Sequence, residues 1–108
     1  MKSTPKAPKH LSSEAKKIWK EILAEYSIDD AAGLRILRVA LESFDRAQAA
    51  RVAIDRDGLT VIDKAGQVKS HPLLPIERDS RAAFLSGLKG LNLDILPPQN
   101  RPGRPNGK

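Results

Sequence analysis

The first apolar pattern along the chain has the period of an α-helix. Ser12 suits the N-cap position, and Glu14 falls in the first turn, where a carboxylate interacts favourably with the helix dipole. The pattern predicts a helix that begins near Ser12 and ends near Ser27. Its apolar positions recur at the spacing that places them on one helical face. They are Leu11, Ala15, Ile18, Trp19, Ile22, Leu23 and Tyr26.

A second and longer helical pattern follows Asp29 and Asp30, which are both natural caps. It extends to about Arg56 and ends at Asp57-Gly58, because glycine readily adopts the left-handed conformation that closes a helix. Two apolar stripes cover roughly 200° of this helix, against about 100° for an ordinary surface helix. One stripe is Leu34, Leu37, Leu41 and Phe44, and the other is Ile36, Ala40, Ala47, Ala50 and Ile54.

The second of these stripes, which is rich in alanine, predicts a subunit interface. Small side chains let a neighbouring helix approach closely, and a chain of this size offers no obvious internal partner for so wide an apolar surface. We therefore expect a homo-oligomer held by Ile36, Ala40, Ala47, Ala50 and Ile54. The alternative is that the rest of the chain covers both stripes.

The remaining pattern predicts a short β-hairpin and a third helix. Residues 59–62 are β-prone, residues 63–66 suit a turn, and residues 67–69 can return as a strand. Pro72 and Pro75 fit the first turn of the third helix, where a missing N–H is tolerated. That helix would finish near Gly90 with its apolar side chains inward: Leu73, Ile76, Ala83, Phe84, Leu88 and Leu91. The predicted fold class is mainly α, with a long central helix, flanking helices and a hairpin between helices two and three.

Length and composition indicate one domain with two different ends. The 108 residues suffice for a single core. Residues 1–10 predict a disordered basic arm, residues 11–96 a helical domain, and residues 97–108 a disordered tail rich in proline and arginine. The chain has no cysteine, no secretory signal near Met1 and no apolar run of the ~18 residues that a membrane span needs. We therefore expect a soluble intracellular protein.

The net charge of +6 is concentrated at the two ends of the chain. Residues 11–96 hold 13 basic and 13 acidic residues, so their net charge is zero. This distribution indicates contact with a polyanion, although basic ends can also serve solubility alone. Three more lysines lie on the outer side of the first helix, on which Glu14, Glu21 and Glu25 are compatible with an ordinary solvated face. The predicted DNA-contacting residues are Lys2, Lys6, Lys9, Lys16, Lys17 and Lys20.

No group of residues has the pattern of a catalytic or metal centre. A glycine-rich phosphate loop with Walker spacing is absent. His10 and His71 lack neighbouring ligands in a zinc-site spacing. Three aspartates surround the hairpin, but Asp55 and Asp57 suit a helix end and the start of a loop better than a two-metal site. We therefore predict no catalytic residue, no metal and no cofactor, and hence a protein that is not an enzyme.

Four segments in a fixed order carry a resemblance to one protein family. They are LSSEAKKIWKEILAEY, LRVALESFDRAQAAR, DGLTVIDKAGQVKSHPLLPIERDSRAAF and LKGLNL. The most specific parts are the Leu-Ser-x-x-Ala-x-x-x-Trp opening at Leu11 and the block from Gly58 to Pro72. Over about residues 8–96, the chain resembles the small subunit of tailed-phage terminases, in the branch with a hairpin between its helices.

The resemblance implies a role in viral genome packaging. Small terminase subunits form rings or other oligomers, recognise double-stranded viral DNA in the host cytoplasm, and recruit and regulate the large subunit, which carries the ATPase and nuclease. This chain is shorter than fuller small subunits and has no clearly separate helix-turn-helix domain. Its DNA-reading surface could therefore be the basic arm with the first helix, or a face completed by assembly. The alternatives are an adaptor with little DNA affinity and a transcription regulator, which the long second helix disfavours.

Overall fold

The computed structural model describes residues 4–92, and it is mainly helical. A two-stranded antiparallel hairpin separates the second helix from the third. This order of elements confirms the predicted fold class. Residues 93–96 of the predicted domain and the predicted tail at 97–108 lie outside the described residues. The elements are α1 (Ser13–Glu25), α2 (Ala31–Asp57), β1 (Thr60–Ile62), β2 (Val68–Ser70) and α3 (Leu74–Gly90).

Side-chain caps determine where the first two helices begin. Ser12 Oγ accepts a hydrogen bond from the Ala15 N–H at 3.0 Å, and Asp30 Oδ2 accepts one from the Gly33 N–H at 2.8 Å. At the other end of α2, Gly58 has φ +92°, a conformation that strains residues with a Cβ. The predicted ends of both helices are therefore confirmed to within one or two residues.

The third helix differs from its prediction at its start and on its inner face. It begins at Leu74, so Pro72 lies in the preceding turn and only Pro75 is in the first helical turn. Ile76, expected inside, is 41% exposed, and Ala83 is also exposed. Ser80 is buried instead, at 7% exposure. The inner face of α3 is therefore rotated away from Ile76 and Ala83 and towards Ser80.

α3 packs antiparallel along α2. Near the end of α3, a Cβ built on Gly87 would lie 2.7 Å from the Cβ of Ala40, so only glycine permits this approach. Further along, the ring centroids of Phe44 and Phe84 are 5.3 Å apart. At the start of α3, His71 reaches back to the last residue of α2.

This arrangement corrects the prediction that the alanine-rich stripe faces another subunit. Four of its five residues, Ala40, Ala47, Ala50 and Ile54, are 8% exposed or less within the single chain. They lie on the side of α2 where α3 packs. Ile36, at 36% exposure, remains at the edge of the helix pair. Small side chains allow close packing of a helix from the same chain or from another subunit. The spacing of the apolar residues is the same for both, so the sequence pattern does not distinguish them.

The apolar core lies at one end of the α2–α3 pair. α1 supplies three of its seven residues, α2 two and α3 one, and Leu11, which precedes α1, is the seventh. The hairpin is at the opposite end, where Ile62 and Val68 face each other across the strands and are 71% and 69% exposed. The core residues are Leu11, Ala15, Trp19, Ile22, Leu37, Leu41 and Leu88.

Candidate nucleic-acid interface

Residues 5–11 lie against α1 and α2, and we refer to this segment as the strap. The indole N–H of Trp19 donates a hydrogen bond of 2.9 Å to the Pro5 carbonyl. Ala7 packs against the core, and Leu11 is 4% exposed. The sequence predicted a disordered arm over residues 1–10, whereas the structure describes Pro5 and Ala7 in contact with the helices. The physical reason is that a buried tryptophan N–H requires an acceptor, and the backbone of the strap supplies it.

A second attachment holds the other end of the strap. Nε2 of His10 lies 2.6 Å from Oε2 of Glu42, a residue of α2. Glu42 also accepts a hydrogen bond from Nε of Arg38 at 3.2 Å. The pKa of Glu42 is lowered, chiefly by the hydrogen bond from His10 and further by Arg38, with slight burial acting in the opposite direction. The ionised carboxylate is therefore the form that holds the strap.

One turn further along, the N-cap of α1 is joined to the same helix. The Ser12 N–H donates to Oδ2 of Asp45 at 2.8 Å, and the Ser12 hydroxyl donates to Oδ1 at 2.5 Å. The same hydroxyl oxygen caps α1. The residue that follows the strap, at the start of α1, is thus also bonded to α2.

Four of the six predicted DNA-contacting lysines line one cleft of about 590 Å³. Lys6 and Lys9 belong to the strap, whereas Lys16 and Lys20 belong to α1. No acidic side chain is among the lining residues that the structure describes, and within residues 4–92 none of the four lysines forms an ion pair. The rest of the lining is Thr4, Pro5, Ala7 and Ala24.

The electrostatics of this cleft favour an anion. Lys16 and Lys20 are four residues apart on one helix, where like charges repel each other and slightly destabilise the helix. Lys6 and Lys9 add positive charge from the opposite wall. A phosphate between the walls would interact with both pairs and relieve the repulsion. We refer to this feature as the lysine cleft.

The remaining two predicted contacts fall elsewhere. Lys17 is exposed on α1 but does not line the lysine cleft. Lys2 lies outside the described residues. Sequence reasoning also missed the residues that hold the strap, namely Trp19, His10 and Glu42. The proline-rich approach to a helix with a single tryptophan was a weak signal for the first contact, but no local pattern pairs His10 with Glu42, which is 32 positions away.

His71 joins α2, the hairpin and α3. Its side chain is buried, and Nδ1 accepts a hydrogen bond of 3.1 Å from the Leu73 N–H. Nδ1 is therefore unprotonated, and Nε2 carries the hydrogen that is donated to Oδ2 of Asp57 at 2.9 Å. The pKa of Asp57 lies well below its usual range, because of hydrogen bonds first from Arg56 and then from His71. Both ring nitrogens are used in holding elements together.

Other kinds of site have no support in the part of the chain that the structure covers. Within residues 4–92, no cluster of three or more His, Asp or Glu side chains is arranged to hold a metal ion. Over the same range, no helix has the length and apolar character needed to cross a bilayer. Comparison with protein-family models, with curated proteins and with solved structures gives no match for this chain. The lysine cleft and the resemblance in the sequence are the features that bear on its function.

Proposed function

We propose that this chain is the small subunit of a viral DNA-packaging terminase, and that it holds double-stranded viral DNA in the lysine cleft. The observation that carries the proposal is the convergence of four lysines on one described cleft whose lining contains no acidic side chain. The resemblance over about residues 8–96 adds the biological setting. In that setting, the chain works as a homo-oligomer in the host cytoplasm, without catalytic residues or cofactors of its own. It recruits and regulates the large ATPase and nuclease subunit.

The chemistry of the lysine cleft favours the phosphate backbone over the bases. Duplex DNA carries one negative charge about every 1.7 Å along its axis, and each phosphate that a lysine neutralises releases bound counterions. The described lining contains lysine, threonine, proline and alanine, with no aromatic ring on which a base could stack. Contacts of this kind position a protein on DNA without reading its sequence.

A salt titration tests this proposal. Binding of the wild-type chain to a labelled duplex should weaken linearly with salt on a log–log plot. We expect Lys16→Gln/Lys20→Gln to lower the affinity and to flatten that slope by about 1.8, because each phosphate contact contributes about 0.9. Fluorescence anisotropy at several salt concentrations measures both quantities.

The control for this experiment removes the same charge elsewhere. Lys64 lies in the hairpin turn and Lys89 near the end of α3, and both are exposed outside the lysine cleft. Lys64→Gln/Lys89→Gln should therefore keep the wild-type slope. Equal effects of the two double variants would show that net charge alone attracts DNA. A wild-type chain with no salt-dependent affinity would overturn the proposal.

Exposed apolar side chains favour a second candidate function, an oligomeric adaptor for a packaging motor with little DNA affinity of its own. Such residues are suited to protein contacts. Mass measurement by sedimentation separates the candidates when combined with the salt titration, since the adaptor would assemble without binding DNA. The side chains concerned are each 53% exposed or more: Val52, Leu59, Ile62, Val68 and Leu85.

A further inference from the structure

The two walls of the lysine cleft differ in how they are held in place. Lys16 and Lys20 lie on α1, whose inner side chains are part of the core. Lys6 and Lys9 lie on the strap, which has no helical or strand hydrogen bonds of its own. The position of the second wall therefore depends on the few contacts that join the strap to the helices.

The first of these contacts is made by a buried residue of α1. Trp19 is 4% exposed, and its indole N–H reaches the carbonyl of Pro5, the residue directly before Lys6. Ala7, on the other side of Lys6, packs against the same core. The chain on both sides of Lys6 is thus attached to the core.

The second contact is made on the surface of α2. His10 follows Lys9 directly and is bonded to Glu42 at 2.6 Å. Neither His10 nor Glu42 lines the lysine cleft. The strap is therefore held next to each of its two lysines, in both cases by a side chain that would not touch the bound anion.

We infer that Trp19 and the His10–Glu42 pair are positioning residues, which set DNA affinity by holding the strap lysines opposite Lys16 and Lys20. This inference rests on the proposed function of the lysine cleft. Its physical basis is preorganisation, since a wall that is already in place loses little conformational freedom when the ligand binds. Without these bonds the strap lysines are still present, but the strap keeps only its apolar contacts through Ala7 and Leu11, so its lysines must lose more conformational freedom on binding.

Trp19→Phe tests the inner contact, because it retains an aromatic ring and removes the N–H. One net hydrogen bond corresponds to a loss of about three- to tenfold in duplex affinity. The salt slope should also flatten, by up to about 1.8, as Lys6 and Lys9 leave their phosphates. Circular dichroism at the assay temperature checks that the helices remain. If Trp19 only stabilises the fold, the folded Trp19→Phe protein should show the same salt dependence of DNA affinity as the wild type.

Glu42→Ala tests the outer contact, because its expected effect on DNA affinity is opposite to the effect of the charge change alone. Removal of an acidic group from a chain that binds a polyanion should raise the affinity. Loss of the contact with His10 should instead lower it, by about threefold or more. The matched control is Asp55→Ala, which removes the same charge from an exposed position of α2 that does not bond to the strap in the described residues.

A double-mutant cycle strengthens this test. His10→Ala and Glu42→Ala break the same bond, so the double variant should bind duplex about as weakly as either single variant. In the Trp19→Phe background, Lys6→Gln/Lys9→Gln should flatten the slope much less than it does in the wild type. Full additivity in both cycles would overturn the inference.

The outcomes separate this inference from the proposed function. A wild-type chain that does not bind duplex DNA would sink the proposed function itself. If the wild type binds and Lys16→Gln/Lys20→Gln weakens it, but Trp19→Phe and Glu42→Ala behave like Asp55→Ala, the lysine cleft stands and the positioning role is wrong.

Discussion

At the residue scale, His71 shows how one side chain can organise a junction. Its two ring nitrogens bond Asp57 at the end of α2 and the Leu73 N–H just before α3, while its backbone N–H donates to the Leu59 carbonyl at 2.8 Å. Its burial was not evident from the sequence, where a histidine before a proline is typical of an exposed turn. The structure therefore assigns it a role in stability rather than in chemistry.

We expect His71→Ala to lower the free energy of unfolding by roughly 1–3 kcal/mol, because it leaves the partly buried Leu73 N–H without its acceptor. Urea denaturation followed by circular dichroism measures this loss. The other histidine serves as control. His10 is half exposed and its ion pair is on the surface, so His10→Ala should change stability by less than about 1 kcal/mol. Equal losses in the two variants would contradict the structural role of His71.

At the scale of elements, the contact between α2 and α3 decides which surface is inside. Periodicity correctly predicted a helix with two apolar stripes, and α3 covers the stripe that sequence reasoning had assigned to another subunit. Gly87 and Ala40 make this possible, because a larger side chain at either position would separate the two helices. A homo-oligomer remains a proposal, and its contact surface must lie outside these four buried residues.

Ala40→Glu should therefore act on folding rather than on assembly. Ala40 is 1% exposed, and an unpaired carboxylate there should lower the free energy of unfolding by roughly 3 kcal/mol or more. Ala49→Glu places the same group on an exposed position of α2 and should cost less than about 0.5 kcal/mol. Thermal melting compares the two variants. If Ala40→Glu keeps its helix content but sediments as a smaller assembly than the wild type, the interface that the sequence predicted would instead be supported.

At the scale of the whole molecule, stability is concentrated at one end. The core joins α1, the first half of α2 and the end of α3, and Leu37 and Leu41 are fully buried there. The lysine cleft lies beside this end, because α1 contributes both to it and to the core. The hairpin at the opposite end has only three residue pairs, and its apolar side chains are largely exposed.

Native-state hydrogen exchange should report this difference. Two-stranded hairpins have little stability of their own, so the hairpin should open locally without unfolding of the core. We expect its hydrogen-bonded amides, such as that of Asp63, to exchange at least about tenfold faster than those of Leu37 and Leu41. Equal protection across the described residues would instead indicate that hairpin and core unfold as one unit.

The sequence by itself determined the elements and much of the charge. Ser12, Asp30 and Gly58 mark helix ends through interactions within a few residues, and the period of apolar residues is a local property. The lysines that line the cleft were also chosen from the sequence, because excess charge near a helix is visible in composition alone.

Only the tertiary structure decided which surfaces meet. The strap is held by bonds between residues 14 and 32 positions apart, and the alanine stripe is covered by a helix that begins some 17 residues after α2 ends. A pattern of apolar residues states that a surface must be buried but not by what, because the hydrophobic effect has no direction. The sequence therefore indicated a basic, helical chain, and the fold decided that two of its basic residues form a wall opposite α1.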